Sequence, residues 1–480
     1  MASLSSLGVG SGLDAETIVT KLVAIEKQPA DALTTANTKL DTKVSTWGKI
    51  QSTFSALQDA AKSLNSSDFW GATTGASSDD TSVSVATTSD AIAGAYNVMV
   101  NQLASAQYLT SGAYASKTAA VGEGEITIEL GTYGTNNATP PAVTFNAKAA
   151  ASTVKIEIGP GDNTLEKIRD RINGANAGVT ASLINDAAGT RLIMRGSTGE
   201  ENGFRVSVSE TATAPGLSAL AYDGTKTDGS NKMTQSQAAT NAKATINGIS
   251  VSSASNTMSN VLDGVTLKLN KVTSSAATIT VAQDTASIQK GITDFVSAYN
   301  SVVSTIRVQT LYDASSKTGG PLQGDATARG LLSQLRSLMG SGTSASSTFG
   351  RLSDIGIDIK TDGTLSTKTS KLTDAMANMT ELKKFFSNSD ETVTANNGMS
   401  QMLFKLTKQV LDTDGSIDSK TSGLKTQITR NKDKIEQIND HATLVETRLR
   451  AQYTALDTNM AKLNGLSTYV TAQLAALNNS

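Results

Sequence analysis

A chain of 480 residues is too long for one small module, and with 120 Ser plus Thr, 60 Ala and only 20 aromatic side chains it suits several modest cores or an elongated molecule. Lys plus Arg is 41 against 43 for Asp plus Glu, with no basic tract dense enough to neutralise a row of phosphates, so nucleic acid is set aside as a partner. The absence of Cys excludes disulfides, thiol nucleophiles and thiolate zinc sites, and a single histidine, His441, rules out a two-histidine metal site within one chain.

The opening MASLSSLGVGSGLDAETIV has no basic n-region and no continuous apolar h-region, so no cleavable secretory signal is expected. No stretch of the chain approaches the roughly 18 apolar residues that span a bilayer. Ile18, Leu22 and Ile25 form a short helical stripe, with Asp14 or a nearby Ser as its N-cap. Pro29 is expected to mark a hinge or a fresh helix start. A heptad follows: Leu33, Leu40, Trp47, Phe54 and Ala61 are seven apart, as are Ala36, Lys43, Ile50, Leu57 and Leu64, with Lys43 the one polar intruder.

The interior alternates with period two, the mark of half-buried strands bounded by turn residues, at 81–86, 96–103, 125–130 and 154–158. TLEKIRDRINGA at 164–175 reads as a helix with Leu165, Ile168 and Ile172 on one face. Strands are expected again at 179–184, 191–195 and 204–209, loop at 212–242, then further strands leading into a helix over 285–306. Residues 287–387 read as mostly helical, with a hairpin in GIDIKTDGTLST whose Asp362-Gly363 pair favours a tight turn.

From Leu424 onward apolar residues return in alternating steps of four and three through Leu449, Leu456, Leu463, Leu466, Val470 and Leu477. Asn431, Gln452, Asn459 and Gln473 occupy the remaining seam positions, where buried amides can weaken a seam and fix its register. A helix of this length is a rod on the order of 80 Å, at about 1.5 Å per residue, with Gly465 as a possible break. Neither terminus can bury its stripe alone, and the simplest solution packs the N-terminal helix against the C-terminal one.

The fold class is therefore multidomain α+β: terminal coiled-coil-like helices, a helical domain, and two nested β-rich head domains. The expected boundaries are 1–42 paired with 424–480, 43–76 with 286–423, 77–122 with 238–285, and an inserted outer head at 123–237.

The chemical motifs are weak. LDTDGSID at 411–418 has calcium-loop spacing at Asp412, Asp414 and Gly415, but Val410 and Thr421 stand where oxygen ligands are required, so it reads as a turn before the long helix. GGPLQGD at 319–325 lacks the Lys-Ser/Thr pair of a phosphate loop. His441, beside the seam position Ala442, reads as an exposed or interfacial histidine without a nucleophile. No catalytic residue, metal site or cofactor is expected.

Five ordered blocks carry a resemblance: SLGVGSGLDAETIVTKLVAIEKQPADAL at 6–33, FVSAYNSVVSTI at 295–306, GPLQGDATARGLLSQLR at 320–336, LSDIGIDIKTDGTLS at 352–366 and RLRAQYTALDTNMAKLNGLSTYVTAQLAAL at 448–477. Together they resemble the flagellar filament cap family, the hook-associated proteins 2. Residues 164–196 are similar to the inserted repeat of flagellins and related caps, whereas 105–160 and 210–240 carry no match, so the outer head is assigned by position.

The resemblance implies a non-enzymatic homo-oligomeric ring at the distal end of the flagellum, beneath which exported flagellin is held, folded and inserted. It implies export through the flagellar type III channel, to an extracellular site at the filament tip, and partners in flagellin, the hook-filament junction protein and a cytoplasmic export chaperone. The terminal seam residues are then assembly contacts: Leu13, Ile18, Leu22, Ile25, Leu33 and Leu40 at one end and Leu449, Leu456, Leu463, Leu466, Val470 and Leu477 at the other. An alternative is an adhesin whose Ser/Thr-rich head binds host mucin or glycans. A wall hydrolase is disfavoured, since no pair of carboxylates can be placed in a cleft.

Overall fold

The computed structural model describes residues 14–149, 153–315 and 317–478. They form two compact units, one of the described residues up to Trp70 together with those from Ala286 onward, the other of those between Gly71 and Thr285. The helices are α1 (Ala15–Asn65), α2 (Ser67–Trp70), α3 (Leu165–Gly174), α4 (Thr285–Thr310), α5 (Ala326–Gly340), α6 (Thr369–Met376), α7 (Met379–Ser387), α8 (Met399–Leu411) and α9 (Ser416–Asn478).

In the first unit, Asp14 caps α1 by accepting from the Thr17 backbone N–H at 3.1 Å. The helix then runs unbroken through Pro29, contrary to the expected hinge or restart. An interior proline costs about 3 kcal/mol or more. Burial on both sides of it, at Val23 and Ala30, opposes that cost. Further along, Trp47, Ile50, Phe54, Leu57 and Leu64 join Ile292, Phe295 and Tyr299 of α4 and Phe385 and Phe386 of α7 in one core. Trp70 closes it by stacking on Phe386 at 5.8 Å, its indole N–H donating to the Leu64 carbonyl at 2.7 Å.

The strands Ile357–Ile359 and Leu365–Thr367 pair as the expected hairpin, with Gly363 at φ 85° in its turn. Three side chains fasten it: the buried Tyr299 donates to the Gly363 carbonyl, and of the half-buried Arg336 and Asn300 the first donates to the Asp362 carbonyl and the second exchanges two hydrogen bonds with Leu365. The calcium-like run is a turn between helices, with Asp412 at the C-cap of α8 and Asp414 at φ 65°. The first turn of α9 is held by Lys420, which pairs at 2.9 Å with Asp325, the N-cap of α5. No break occurs at Gly465.

The second unit contains two β cores. A five-stranded antiparallel sheet runs in the order Thr73–Ser77, Ala277–Gln283, Gly94–Gln102, Ala242–Ile246, Ile249–Ser253. With the sheet Thr257–Leu262, Val265–Leu269, Val83–Thr87 it buries Val83, Val98, Val100, Leu267, Ile279 and Val281. The other core lies between the sheet Thr234–Gln237, Ala106–Thr110, Gly189–Thr198, Val179–Asp186 and a sheet built around Gly124–Thr135. Helix α3 contributes Leu165, Ile168 and Ile172 to it, all fully buried.

This inserted core reaches back to Leu109, ahead of the boundary expected at 123. The reason is a cross-strand pairing: Ala106–Thr110 joins Gly189–Thr198, and the buried Gln107 amide both donates to and accepts from Phe204 of the opposing sheet. The stretch expected as loop at 212–242 also contributes a strand, Thr234–Gln237, and buried Leu217, Leu220 and Tyr222.

Candidate functional site: the terminal helix pair

Helices α1 and α9 pack antiparallel, since Glu16 meets Arg450, Glu26 meets His441 and Asn37 meets Asn431. Val19, Val23 and Ala442 are buried between them with Leu449 and Tyr453 packed alongside. Val445, between Ala442 and Leu449 on α9, is buried too, and farther in so are Ile428 of α9 and Leu40 of α1.

Polar contacts mark the register at both ends of this seam. Arg450 forks onto Glu16 with two hydrogen bonds of 2.7 Å and reaches Glu446 at 2.9 Å through its Nε. The Glu16 hydrogen bond, and secondarily that to Glu446, raises the Arg450 guanidinium pKa, and the same contact lowers that of Glu16. Both groups are exposed, so the fork specifies geometry more than it stabilises. Deeper in the pair, Asn431 donates its side-chain amide to Asn37 at 2.9 Å, and Asn37 is buried. A buried amide pair is satisfied in one register only, which penalises a slip.

The residues flagged in the sequence separate into three groups. Leu33, Leu40 and Leu449 are covered wholly or in part within the chain. Ile18 is half-buried, and Leu22 and Ile25 are exposed. They are not the α1 face that α9 covers, which is Val19 and Val23. Because the helix does not restart at Pro29, the phase of Leu33, Leu40 and Trp47 reads straight back to Val19 in steps of seven, and that signal was available in the sequence.

The third group lies on α9 beyond Tyr453, where Leu456, Leu463, Leu466 and Val470 are 41%, 58%, 59% and 47% exposed. Leu477 lies on the helix, its side chain outside the described residues, and Leu13 falls outside the described residues altogether. Of the four expected seam amides, Asn431 alone lies in the pair; Gln452, Asn459 and Gln473 are exposed. Sequence reasoning missed Asn37, whose heptad neighbour Ala36 it placed in the seam instead. Among the described residues no cluster of three or more His, Cys, Asp or Glu could hold a metal, and no helix is long and apolar enough to cross a membrane.

Comparison with known proteins accounts for nearly all of the chain. The family model for the N-terminus of flagellar hook-associated protein 2 matches residues 11–107, that for its C-terminus residues 239–465, and the flagellin hook IN motif residues 142–213. Flagellar hook-associated protein 2 of Escherichia coli strain K12 is 34% identical over 496 residues, covering 100% of both chains. The A-type flagellar hook-associated protein 2 of Pseudomonas aeruginosa is 30% identical, covering 98% of this chain and 97% of its own. The crystal structure of the D1-D2-D3 domains of the flagellar cap protein FliD from Escherichia coli matches with a TM-score of 0.64 at 33% identity, covering 79% of this chain and 99% of that one.

Fold and relatives together define a structural, non-enzymatic protein of the flagellum. The chain belongs to the flagellar hook-associated protein 2 family, the filament caps.

Proposed function

We propose that this protein forms an oligomeric cap at the distal end of the flagellar filament, where it retains exported flagellin and promotes its folding and insertion. The observation that carries the reading is the split in α9: one stretch is packed against α1, and the next keeps the same apolar period while facing solvent. Leu456, Leu463, Leu466 and Val470 are then assembly contacts, covered by neighbouring copies, flagellin or the hook-filament junction protein, and in the cytoplasm by an export chaperone. Delivery is through the flagellar type III channel.

The test is complementation of a strain lacking the protein. The wild-type chain restores filaments, whereas a chain carrying Leu463→Glu, Leu466→Glu and Val470→Glu leaves cells that release flagellin monomers into the medium. Normal filaments from the triple variant would overturn the assignment.

A second reading, adhesion to host mucin or glycans through the head, is favoured by one feature. A cavity of ≈ 230 Å³ is lined by Tyr133, Tyr222, Gln235 and Glu200, and aromatic faces beside amide and carboxylate groups suit sugar rings and their hydroxyls. Binding to a mucin surface that survives Glu200→Gln unchanged would remove this cavity as the site.

A further inference from the structure

The chain holds five Asn-Gly pairs, at Asn173, Asn202, Asn247, Asn397 and Asn464. An Asn before Gly is open to attack on its side-chain amide carbon by the glycine nitrogen, whose approach no Cβ hinders. The attack needs a glycine N–H that is free and an amide that can turn toward it.

In four of the pairs the glycine N–H is engaged. Asn173 and Asn464 lie within α3 and α9, where the glycine N–H belongs to the helix ladder. The Asn173 side chain is also clamped, donating to the Ala181 carbonyl at 2.9 Å and accepting from the Ala181 N–H at 2.7 Å. Gly203 donates to the Glu200 carbonyl, and the Asn202 amide donates to the Thr198 carbonyl at 2.6 Å. Gly398 donates to the Asn388 carbonyl at 2.7 Å, and Asn397 is buried with its amide donating to the Asp390 and Thr394 carbonyls.

Asn247-Gly248 differs on both counts. The pair forms the two-residue turn between Ala242–Ile246 and Ile249–Ser253, with φ 46° and 87°. Both residues are exposed, and nothing lies within 4 Å of the place a side chain would take on Gly248. Neither the Gly248 N–H nor the Asn247 Nδ2 donates to any group among the described residues. The Asn247 side chain is held by its oxygen alone, which accepts from the Asn97 backbone N–H at 2.8 Å. That donor polarises Cγ and stands ready for the negative charge that attack would put on this oxygen.

We infer that Asn247 is a self-modification site, at which the chain deamidates without an enzyme. The Gly248 nitrogen gives up its proton to hydroxide and bonds to Asn247 Cγ; the Cγ–Nδ2 bond breaks, ammonia leaves with a proton from water, and a cyclic imide remains. Water then opens either carbonyl of the imide, giving Asp or an isoaspartyl linkage, so the net change takes up one water and releases one ammonia. Either product places a carboxylate in a stretch, residues 244–262, that holds no charged side chain. The isoaspartyl form also lengthens the backbone of a turn that sets the register of two strands. Because the conversion consumes only water, its extent records the time since the chain was made.

The test is peptide mapping by mass spectrometry of the full chain, sampled during incubation in neutral buffer. Asn173, Asn202 and Asn397, whose side chains and following glycines are both held, serve as internal references. Asn247 is expected to convert at least about tenfold faster than any of the three, since each of those must first open its local structure. It is expected to give Asp and isoaspartate together, and in guanidinium chloride that unfolds the chain the four rates should converge. Conversion of Asn247 no faster than the references in the folded chain would overturn the site. A lead that persists in guanidinium chloride would overturn its origin in the fold, and Asp without isoaspartate would overturn attack by the Gly248 nitrogen.

Discussion

One helix, α9, presents the same apolar period in two opposite environments. Up to Tyr453 the stripe is packed by α1, with Ala442 fully buried; beyond it Leu463 and Leu466 stand in solvent. Periodicity fixes that a helix forms and which face is apolar, whereas what covers that face depends on what lies opposite. The packed stretch is a matter of stability, and the open one a matter of partners.

The sharpest way to break the contrast is to place a charge in each stretch. Ala442→Glu puts a carboxylate where no solvent reaches, and urea denaturation of the isolated chain should show a loss of about 3 kcal/mol or more, or a helical unit that unfolds separately. Leu463→Glu should change the same curve by less than about 0.5 kcal/mol, as expected of a surface position. Equal effects would mean that the two stretches do not differ.

A second effect of intermediate size concerns register. Asn431→Leu leaves the buried Asn37 amide without its partner and should cost about 1–3 kcal/mol. Changing both Asn37 and Asn431 to Leu should recover most of that loss, since an apolar pair needs no hydrogen bond. A double-mutant cycle in urea checks this, and additive losses would show that the amide pair does not set the register.

The smallest effects lie on the surface. Arg450→Ala should lower the melting temperature slightly at low salt and not at high salt, because the fork onto Glu16 is exposed and screened. In the helical unit the Glu381 carboxyl is held down to about 2 by hydrogen bonds from Lys384 first, then from Ser346 and the Ser347 backbone. A carboxyl depressed below its ordinary 4.5 contributes stability that is present above that value and lost as pH falls through the interval toward 2. Glu381→Gln should therefore flatten the acid limb of a denaturation midpoint plotted against pH, leaving the neutral limb nearly parallel to wild type.

Much of this architecture was legible from local chemistry. Alternation gave the strands, the Asp362-Gly363 pair gave the hairpin turn, and Leu165, Ile168 and Ile172 gave the buried face of α3. The errors came where a local signal was overridden by partners distant in sequence. Pro29 breaks an isolated helix, yet α9 packs along both sides of it; reading a restart there shifted the phase of Ile18, Leu22 and Ile25 away from the true face at Val19 and Val23. Ala106–Thr110 falls within the expected 77–122 segment yet packs in the inserted core, because its partner strand lies more than 80 residues away. For the candidate site, the apolar residues of α9 were readable, but the point at which cover ends depends on where α1 begins along it, a matter of three-dimensional register.

The most direct test is hydrogen exchange of the amides across residues 454–474, measured on the isolated chain and on the cap assembled at filament ends, with residues 428–449 as an internal reference. The account predicts slow exchange of the reference segment in both states, and fast exchange of 454–474 in the isolated chain that slows at least about tenfold on assembly. Equal protection of 454–474 in both states, whether high or low, would contradict it.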